Sequence, residues 1–109
     1  MRRYALALDL VDDKDMIAEY DAHHQSIWPE IKQSILESGV LVMDIYRFEN
    51  RLFMIMEVED NFSFEQKNEM DKMNTVVQRW EALMWKYQSA IPGANPDEKW
   101  VIMKQIFEL

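Results

Sequence analysis

Two kinds of hydrophobic periodicity alternate along this chain. Apolar side chains recur at every second position, the period of a β-strand, in four segments: 4–10, 40–48, 52–59 and 99–107. Between them, two longer segments, 12–38 and 63–87, have apolar residues three or four positions apart, which is the period of an amphipathic helix. The predicted order is β-α-β-β-α-β. Split βαβ units with right-handed crossovers give an α+β fold, a four-stranded antiparallel sheet with two helices on one face.

Several residues predict where these helices begin, break and end. Pro29 lacks an N–H and crowds the preceding turn, so we expect the first helix to break near residues 24–26. Gly39 is a typical residue for the end of that helix. Ser63, with Gln66 three positions later, predicts a capping box at the start of the second helix, and Asn74 is a candidate for a break within it.

The strands carry apolar residues on both sides, which predicts that both faces of the sheet are buried. In segment 99–107 one side has Trp100, Ile102 and Ile106, and the other has Val101, Met103 and Phe107. Helices can cover only one face of a sheet. We therefore expect a homodimer in which the second faces of two sheets pack against each other.

Length, charge and composition narrow the classes of protein. A chain of 109 residues is expected to form a single domain spanning 1–109. Its net charge of −8 argues against binding of nucleic acid or of an anionic membrane, since both require clustered cations. With no cysteine and no apolar run long enough for a signal peptide or membrane span, we expect a cytoplasmic location.

The strongest candidates for chemistry lie on the first helix. Tyr20 and His24 are one turn apart on its apolar stripe, whereas His23 is turned about 100° away and is expected in solvent. An imidazole titrates near neutral pH, so His24 could transfer protons. The alternative is a core histidine bonded to the carbonyl that Pro29 leaves free. Tyr20 could donate to a ligand or be a core aromatic with its hydroxyl at the rim.

Four further residues could line a site. Trp80 is either a core residue of the second helix or a plane that stacks on a sugar, and Glu81 is either helix surface or an acceptor for ligand hydroxyls. Asp44 is a charge within a strand and shares its face with Tyr46, so it is either an edge charge or a site group. No set of His, Asp and Glu has the spacing of metal ligands, and we expect neither a metal nor another cofactor.

Several of these residues resemble the signature of the L-rhamnose mutarotase family. The resemblance begins at Glu19-Tyr20, His24 and Ile27-Trp28-Pro29-Glu30, and it continues through the remaining segments: Ile45-Tyr46, Leu52-Phe53, Met56-Glu57-Val58-Glu59, Gln78-Arg79-Trp80 and Ala94-Asn95-Pro96. It implies a ferredoxin-like, dimeric α+β barrel. It also implies an isomerase that interconverts the anomers of a 6-deoxy-L-sugar.

The resemblance assigns roles to individual residues. It implies that His24 is the catalytic proton donor and that Tyr20 binds the sugar. The family's tryptophan pair falls on Trp80 and Glu81, so the second aromatic is replaced here, and a sugar-contacting tyrosine falls on Met43. Residues 43–46 look more like the branch associated with L-fucose. L-Fucose differs from L-rhamnose in hydroxyl stereochemistry, so an altered hydrogen-bonding wall fits a change of substrate.

The sequence thus leads to a sugar mutarotase, with two other functions as alternatives. The same fold could host a cofactor-free or haem-active monooxygenase, which oxygen consumption or haem uptake would reveal. A non-catalytic dimer that binds a small molecule would show affinity for a monosaccharide without anomer exchange.

Overall fold

Four helices pack on one face of an antiparallel β-sheet in the computed structural model, which describes residues 1–109. The strands are β1 (Arg2–Leu10), β2 (Val40–Phe48), β3 (Arg51–Val58), β4 (Gln88–Ser89) and β5 (Val101–Ile102). The helices are α1 (Lys14–Gln25), α2 (Pro29–Glu37), α3 (Phe64–Met73) and α4 (Thr75–Trp85). The α+β class predicted from the hydrophobic pattern is confirmed.

The sheet has the order β2-β3-β1-β4, and β5 also pairs with β1. The two short strands use consecutive parts of the same edge of β1. Leu10 pairs with Gln88, and Leu6 pairs with Ile102. Together β4 and β5 occupy the place of the single fourth strand that the sequence predicts. Both are antiparallel to β1, as are all the other pairings.

Each predicted helical segment is two helices, and local chemistry explains each break. Pro29 is at the start of α2, where its missing N–H costs nothing, so the predicted break is confirmed at residues 26–28. Asn74 ends α3, and its side chain accepts hydrogen bonds from Val76 N and Val77 N at the start of α4. Gly39 follows α2 with a φ of 96°, a conformation that glycine adopts at little cost.

The predicted strand over 99–107 is much shorter in the structure. Only Val101 and Ile102 are in the strand conformation, and the last sheet hydrogen bond is donated by Met103 N to Ala5 O. Side-chain alternation alone does not report whether the backbone pairs with a neighbouring strand. The side chains of Ile106, Phe107 and Leu109 are largely exposed. The apolar pattern of this tail therefore does not reflect burial within one chain.

The two faces of the sheet are chemically different. The face toward the helices, here the inner face, contains the core, including Leu8, Leu52 and Val58, which are at most 1% exposed. The opposite face, here the outer face, has these residues on β1 and β3: Arg3, Ala5, Ala7, Asp9, Arg51, Phe53, Ile55 and Glu57. Cross-strand ion pairs lie near each end of that face, Arg3 with Glu57 and Asp9 with Arg51. None of the four helices has the length and apolar character that crossing a bilayer requires.

Candidate functional site

Tyr20 and His24 lie side by side on α1, facing the core. Tyr20 is 3% exposed and packs against Leu8, Leu10 and Leu52 of the inner face. The ring of His24 lies 4.4 Å from that of Tyr20, centroid to centroid, at an angle of 35°. His24 is half-buried, so it is neither in bulk water nor enclosed by hydrocarbon. One turn of helix therefore presents a phenol and an imidazole from an apolar surface.

The hydrogen bonding of His24 determines which ring nitrogen is available. Its Nδ1 lies 3.0 Å from the carbonyl oxygen of Tyr20. A carbonyl only accepts, so Nδ1 carries a proton and donates it. Nε2 makes no hydrogen bond within the chain, and no buried side-chain nitrogen or oxygen lacks a partner, so Nε2 is accessible from outside. The His24 bond goes to the carbonyl of Tyr20, not to the carbonyl of Gln25 that Pro29 leaves free.

Two tryptophans form an aromatic wall beside His24. The indole of Trp80, on α4, lies 5.8 Å from the His24 ring at 65°. Trp28, at the start of α2, lies 5.1 Å from Trp80 at 70°. Edge-to-face contacts of this kind are favourable because the positive ring edge meets the negative ring face. Both indoles are half-buried, so part of each ring faces solvent.

Hydrogen bonds anchor α1 to strands near both edges of the sheet. Near one edge, Arg47 of β2 donates to Asp21 through two nitrogens, with Nη2–Oδ2 at 2.7 Å and Nε–Oδ1 at 2.9 Å. At the other, the side-chain amide of Gln88 on β4 donates to the hydroxyl of Tyr20 at 3.4 Å. Burial raises the pKa of Tyr20 above its usual value, and the bond from Gln88 offsets part of the rise. Tyr20 is therefore a neutral hydroxyl at physiological pH.

A second polar cluster lies next to this pair. The hydroxyl of Tyr87 donates to Glu19 at 3.1 Å, and His23 Nε2 lies 3.3 Å from the same hydroxyl. His23 is half-buried, so the expectation that it lies in solvent was wrong; its ring packs against that of Tyr87, which follows α4. Removal from water raises the pKa of Tyr87, and the adjacent Glu19 carboxylate raises it further. This cluster holds α1 against Tyr87 from the side opposite Asp21.

The structure brings together some of the predicted site residues and separates others. His24 contacts both Tyr20 and Trp80. Met43 is on the inner face, packed against the core beside Met54 and Met56. Glu81 is half-buried on α4, next to Trp80 in sequence.

Asp44 and Tyr46 are on the outer face. Asp44 pairs with Ile55 and Tyr46 with Phe53, whose ring lies 6.5 Å from the tyrosine ring. Both Asp44 and Tyr46 are exposed. Because the sheet lies between them and the helices, they do not join His24 within one chain.

Two surface concavities lie elsewhere. One is lined by residues that include Glu37, Glu59 and Phe62, and the other by residues that include Gln33 and Asn74. Neither contains Tyr20, His24 or Trp80. No three His, Asp or Glu side chains come together in a way that could hold a metal ion.

Sequence reasoning missed three residues of this region: Trp28, Gln88 and Tyr87. Trp28 had a signal, since it directly precedes Pro29 in the segment that resembles the family signature. Gln88 and Tyr87 had none, because their contacts with α1 depend on how the end of α4 and β4 fold back on β1.

Comparisons with known proteins bear on the family and the fold. A family model described as L-rhamnose mutarotase matches residues 3–109. The chain is 39% identical over 111 residues to an L-fucose mutarotase of Xanthomonas campestris pv. campestris, covering 100% of this chain and 89% of the relative. It is 31% identical to an L-rhamnose mutarotase of Enterococcus faecalis, covering 87% and 88%. The crystal structure of an L-rhamnose mutarotase from Formosa agariphila superposes with a TM-score of 0.72 at 22% identity, covering 100% and 99%, and supports the fold.

Proposed function

Because this chain belongs to the L-rhamnose mutarotase family, we propose that it interconverts the α and β anomers of a 6-deoxy-L-hexose at His24, with L-fucose as the preferred sugar. The chain is a sugar mutarotase and thus an isomerase. The sugar and the roles of individual residues are the parts that we propose. The observation on which they depend is the state of His24, with Nδ1 bonded to Tyr20 O and Nε2 accessible.

The preference for L-fucose has two sources of support. The relative that is 39% identical along this whole chain is named an L-fucose mutarotase. In addition, Glu81 and Met43 stand where the family resemblance implies a tryptophan and a tyrosine. A carboxylate in place of an aromatic ring favours a sugar whose hydroxyls are oriented to donate to it. A site with such an acceptor discriminates strongly against a sugar that leaves the acceptor without a hydrogen bond.

The reaction requires the ring oxygen to gain a proton while the anomeric hydroxyl loses one. We place the ring oxygen at His24 Nε2, which in its protonated state donates to that oxygen as the bond to the anomeric carbon breaks. Water accepts the proton of the anomeric hydroxyl. Rotation about the adjacent carbon–carbon bond and the reverse proton transfers close the ring as the other anomer. The hydrogen bond from Nδ1 to Tyr20 holds the imidazole in the required orientation.

The surrounding residues hold the sugar. Tyr20 is a neutral hydroxyl at physiological pH, and it donates a hydrogen bond to a sugar oxygen. Trp80 stacks on the apolar C–H face of the ring, and Trp28 packs edge to face against the Trp80 indole. Glu81 accepts from the hydroxyls that distinguish the sugars, and Met43 contributes an apolar surface. No step in this scheme requires a cofactor.

We also propose that two chains form a homodimer through their outer faces. Apolar side chains occupy the centre of that face, namely Ala5, Ala7, Phe53 and Ile55, and ion pairs flank them. Asp44 and Tyr46 then lie in the interface between subunits or at its border. They could contact a sugar only in the dimer. A cytoplasmic location and a single domain over 1–109 complete the proposal.

The test is a saturation-transfer NMR assay of anomer exchange with L-fucose and L-rhamnose side by side. We expect enzyme-dependent exchange of both, faster for L-fucose at equal concentration. Faster exchange of L-rhamnose would contradict the proposed preference. Absence of exchange above the uncatalysed rate for both sugars would contradict the proposed function. Oxygen uptake in place of exchange would favour the monooxygenase alternative.

A further inference from the structure

Gln88 is a buried amide that no feature of the sequence marked. It belongs to the two-residue strand β4, and its pairing with Leu10 of β1 directs its side chain to the inner face. The residue is 9% exposed. A buried amide without hydrogen bonds is costly, because it has given up its bonds to water. Its Nε2 has a partner, the hydroxyl of Tyr20 at 3.4 Å.

The direction of this bond has a chemical consequence. An amide nitrogen only donates, so Tyr20 must accept with an oxygen lone pair. A phenol has one proton, and that proton is then free to be donated to a third group. The tyrosine ring is next to His24, with 4.4 Å between ring centroids. Without the bond from Gln88, the Tyr20 hydroxyl could equally rotate and accept a hydrogen bond from a ligand.

We propose that Gln88 is a positioning residue that fixes the Tyr20 hydroxyl as a hydrogen-bond donor to the sugar bound at His24. The inference rests on the proposed function, and it deepens that function by assigning the donor and the acceptor of one hydrogen bond between protein and sugar. Sugar hydroxyls both donate and accept, whereas a ring oxygen only accepts. A hydroxyl held as a donor therefore favours a pose in which it faces the ring oxygen or the lone pair of a sugar hydroxyl.

The length of the bond fits a positioning role. At 3.4 Å it is longer than the usual range of about 2.7–3.2 Å for an N–H···O bond. Hydrogen bonds at catalytic sites are often long without substrate and tighten when it binds. The bond is nevertheless in a buried environment with apolar neighbours, where a polar contact is stronger than in water.

The chain offers a matched control in the preceding residue. Tyr87 also bonds to α1, but through Glu19 and His23 rather than through Tyr20. Tyr87→Phe removes both of these contacts between α1 and the residue just before β4, and it leaves the Gln88 amide unchanged. If Gln88 only holds α1 in place, both substitutions should have the same effect.

The experiment compares Gln88→Leu, Gln88→Glu and Tyr87→Phe with wild type by anomer exchange of L-fucose and of L-rhamnose at pH 5 and pH 8. We expect Gln88→Leu to lower the enzyme-dependent rate about 2- to 13-fold, the size of one neutral hydrogen bond. Tyr87→Phe should stay within about 2-fold of wild type. Equal losses in Gln88→Leu and Tyr87→Phe would overturn the proposal.

Gln88→Glu provides a readout that a structural role would not produce. The carboxylate that this substitution introduces only accepts, so it takes the Tyr20 proton away from the sugar; once protonated, the new carboxyl group can donate again. Burial at this position raises the pKa of the new carboxyl group above its usual value of about 4.3, so the group is protonated to a greater extent at pH 5 and the rate relative to wild type should be lower at pH 8. Because glutamate has the shape of glutamine, this variant also decides the question if Gln88→Leu fails to fold. A ratio independent of pH would overturn the proposal.

A second measurement separates this inference from the proposed function. Titration of the tyrosine Cζ resonances by NMR follows the Tyr20 hydroxyl without any sugar. The bond from Gln88 lowers the pKa of Tyr20, so Gln88→Leu should move the Tyr20 midpoint upward and Tyr87→Phe should not. If wild type exchanges neither sugar, the proposed function is wrong, whereas an unmoved midpoint in Gln88→Leu shows that the inferred bond is wrong.

Discussion

Trp80 of α4 meets His24 of α1 edge to face, with ring centroids 5.8 Å apart. The two residues come from different crossover connections between strands. His24 is in the last turn of α1, because that helix ends just before the break at residues 26–28. The imidazole is thus held on one side by Tyr20 and on another by an indole, and its Nε2 remains accessible. Substitutions at these residues and in the sheet beneath them test this arrangement.

Replacement of His24 by glutamine should remove most of the catalysis. Glutamine retains a polar side chain but cannot transfer a proton, and a positioned acid–base group typically contributes about 10²–10⁴-fold. We expect the enzyme-dependent exchange rate of L-fucose to fall by that factor, with an unchanged circular dichroism spectrum. His23→Gln is the matched control, since its ring bonds to Tyr87 and not to the site. Equal rates in wild type and His24→Gln would contradict the role of His24.

Replacement of Trp80 by alanine should weaken sugar binding more than the chemical step. Contacts between aromatic rings are worth about 0.5–1.5 kcal/mol, and a stacking contact of that size corresponds to about a 2- to 13-fold rise in KM. Trp85→Ala is the control, because Trp85 is on the same helix but 45% exposed. The KM and kcat of both variants are measured by the NMR exchange assay. A KM equal to that of wild type in Trp80→Ala would argue that the indole is only a core residue.

A charge placed in the outer face should separate the proposed dimer. Ile55 lies near the centre of that face, between the two cross-strand ion pairs, and a glutamate there would be buried without a partner. We expect Ile55→Glu to sediment as a monomer at a concentration where wild type is a dimer. Leu36→Glu adds the same charge on α2, where the side chain is 52% exposed, and should stay dimeric. Wild type that sediments as a monomer would exclude the proposed assembly.

The protein should lose stability at alkaline pH because of its buried tyrosines. The pKa of Tyr20 is raised above 10.0 chiefly by burial, and that of Tyr87 is raised for the same reason and by Glu19. Between the unfolded and folded pKa values the unfolded chain binds fewer protons than the native one, so the free energy of unfolding falls as pH rises. Urea denaturation from pH 8 to pH 11 should show this decline.

The substitution Tyr20→Phe tests the source of that decline. It should make the slope above about pH 10 shallower, because one of the two shifted groups is gone. Between pH 7 and pH 8 both tyrosines are protonated in either state, so they give the variant no additional pH dependence there. A slope above pH 10 identical to that of wild type would contradict the assignment to Tyr20.

Much of the fold is predictable from local patterns. The positions of the breaks follow from Pro29 and Asn74, because a missing N–H and a capping side chain act within one turn of the helix. The pair Tyr20 and His24 is also a local result, since residues four apart share a helix face. The prediction of a final strand over 99–107 was wrong in its length. Its side chains alternate, but only Val101 and Ile102 pair with β1, because alternation reports which side chains share a face and not whether the backbone pairs with a neighbour.

The sequence by itself determined the order of the elements, the inward stripe of α1 and the two residues of that stripe that can donate or transfer a proton, because all of these depend on periods of two and 3.6 residues. Tertiary structure alone decided that Trp28 and Trp80 meet beside His24, that Gln88 reaches the hydroxyl of Tyr20, and that Asp44 and Tyr46 lie on the other side of the sheet. The physical reason is that contacts between distant segments depend on strand register and on how the crossovers pack. A shift of one residue in register turns every side chain of a strand to the opposite face.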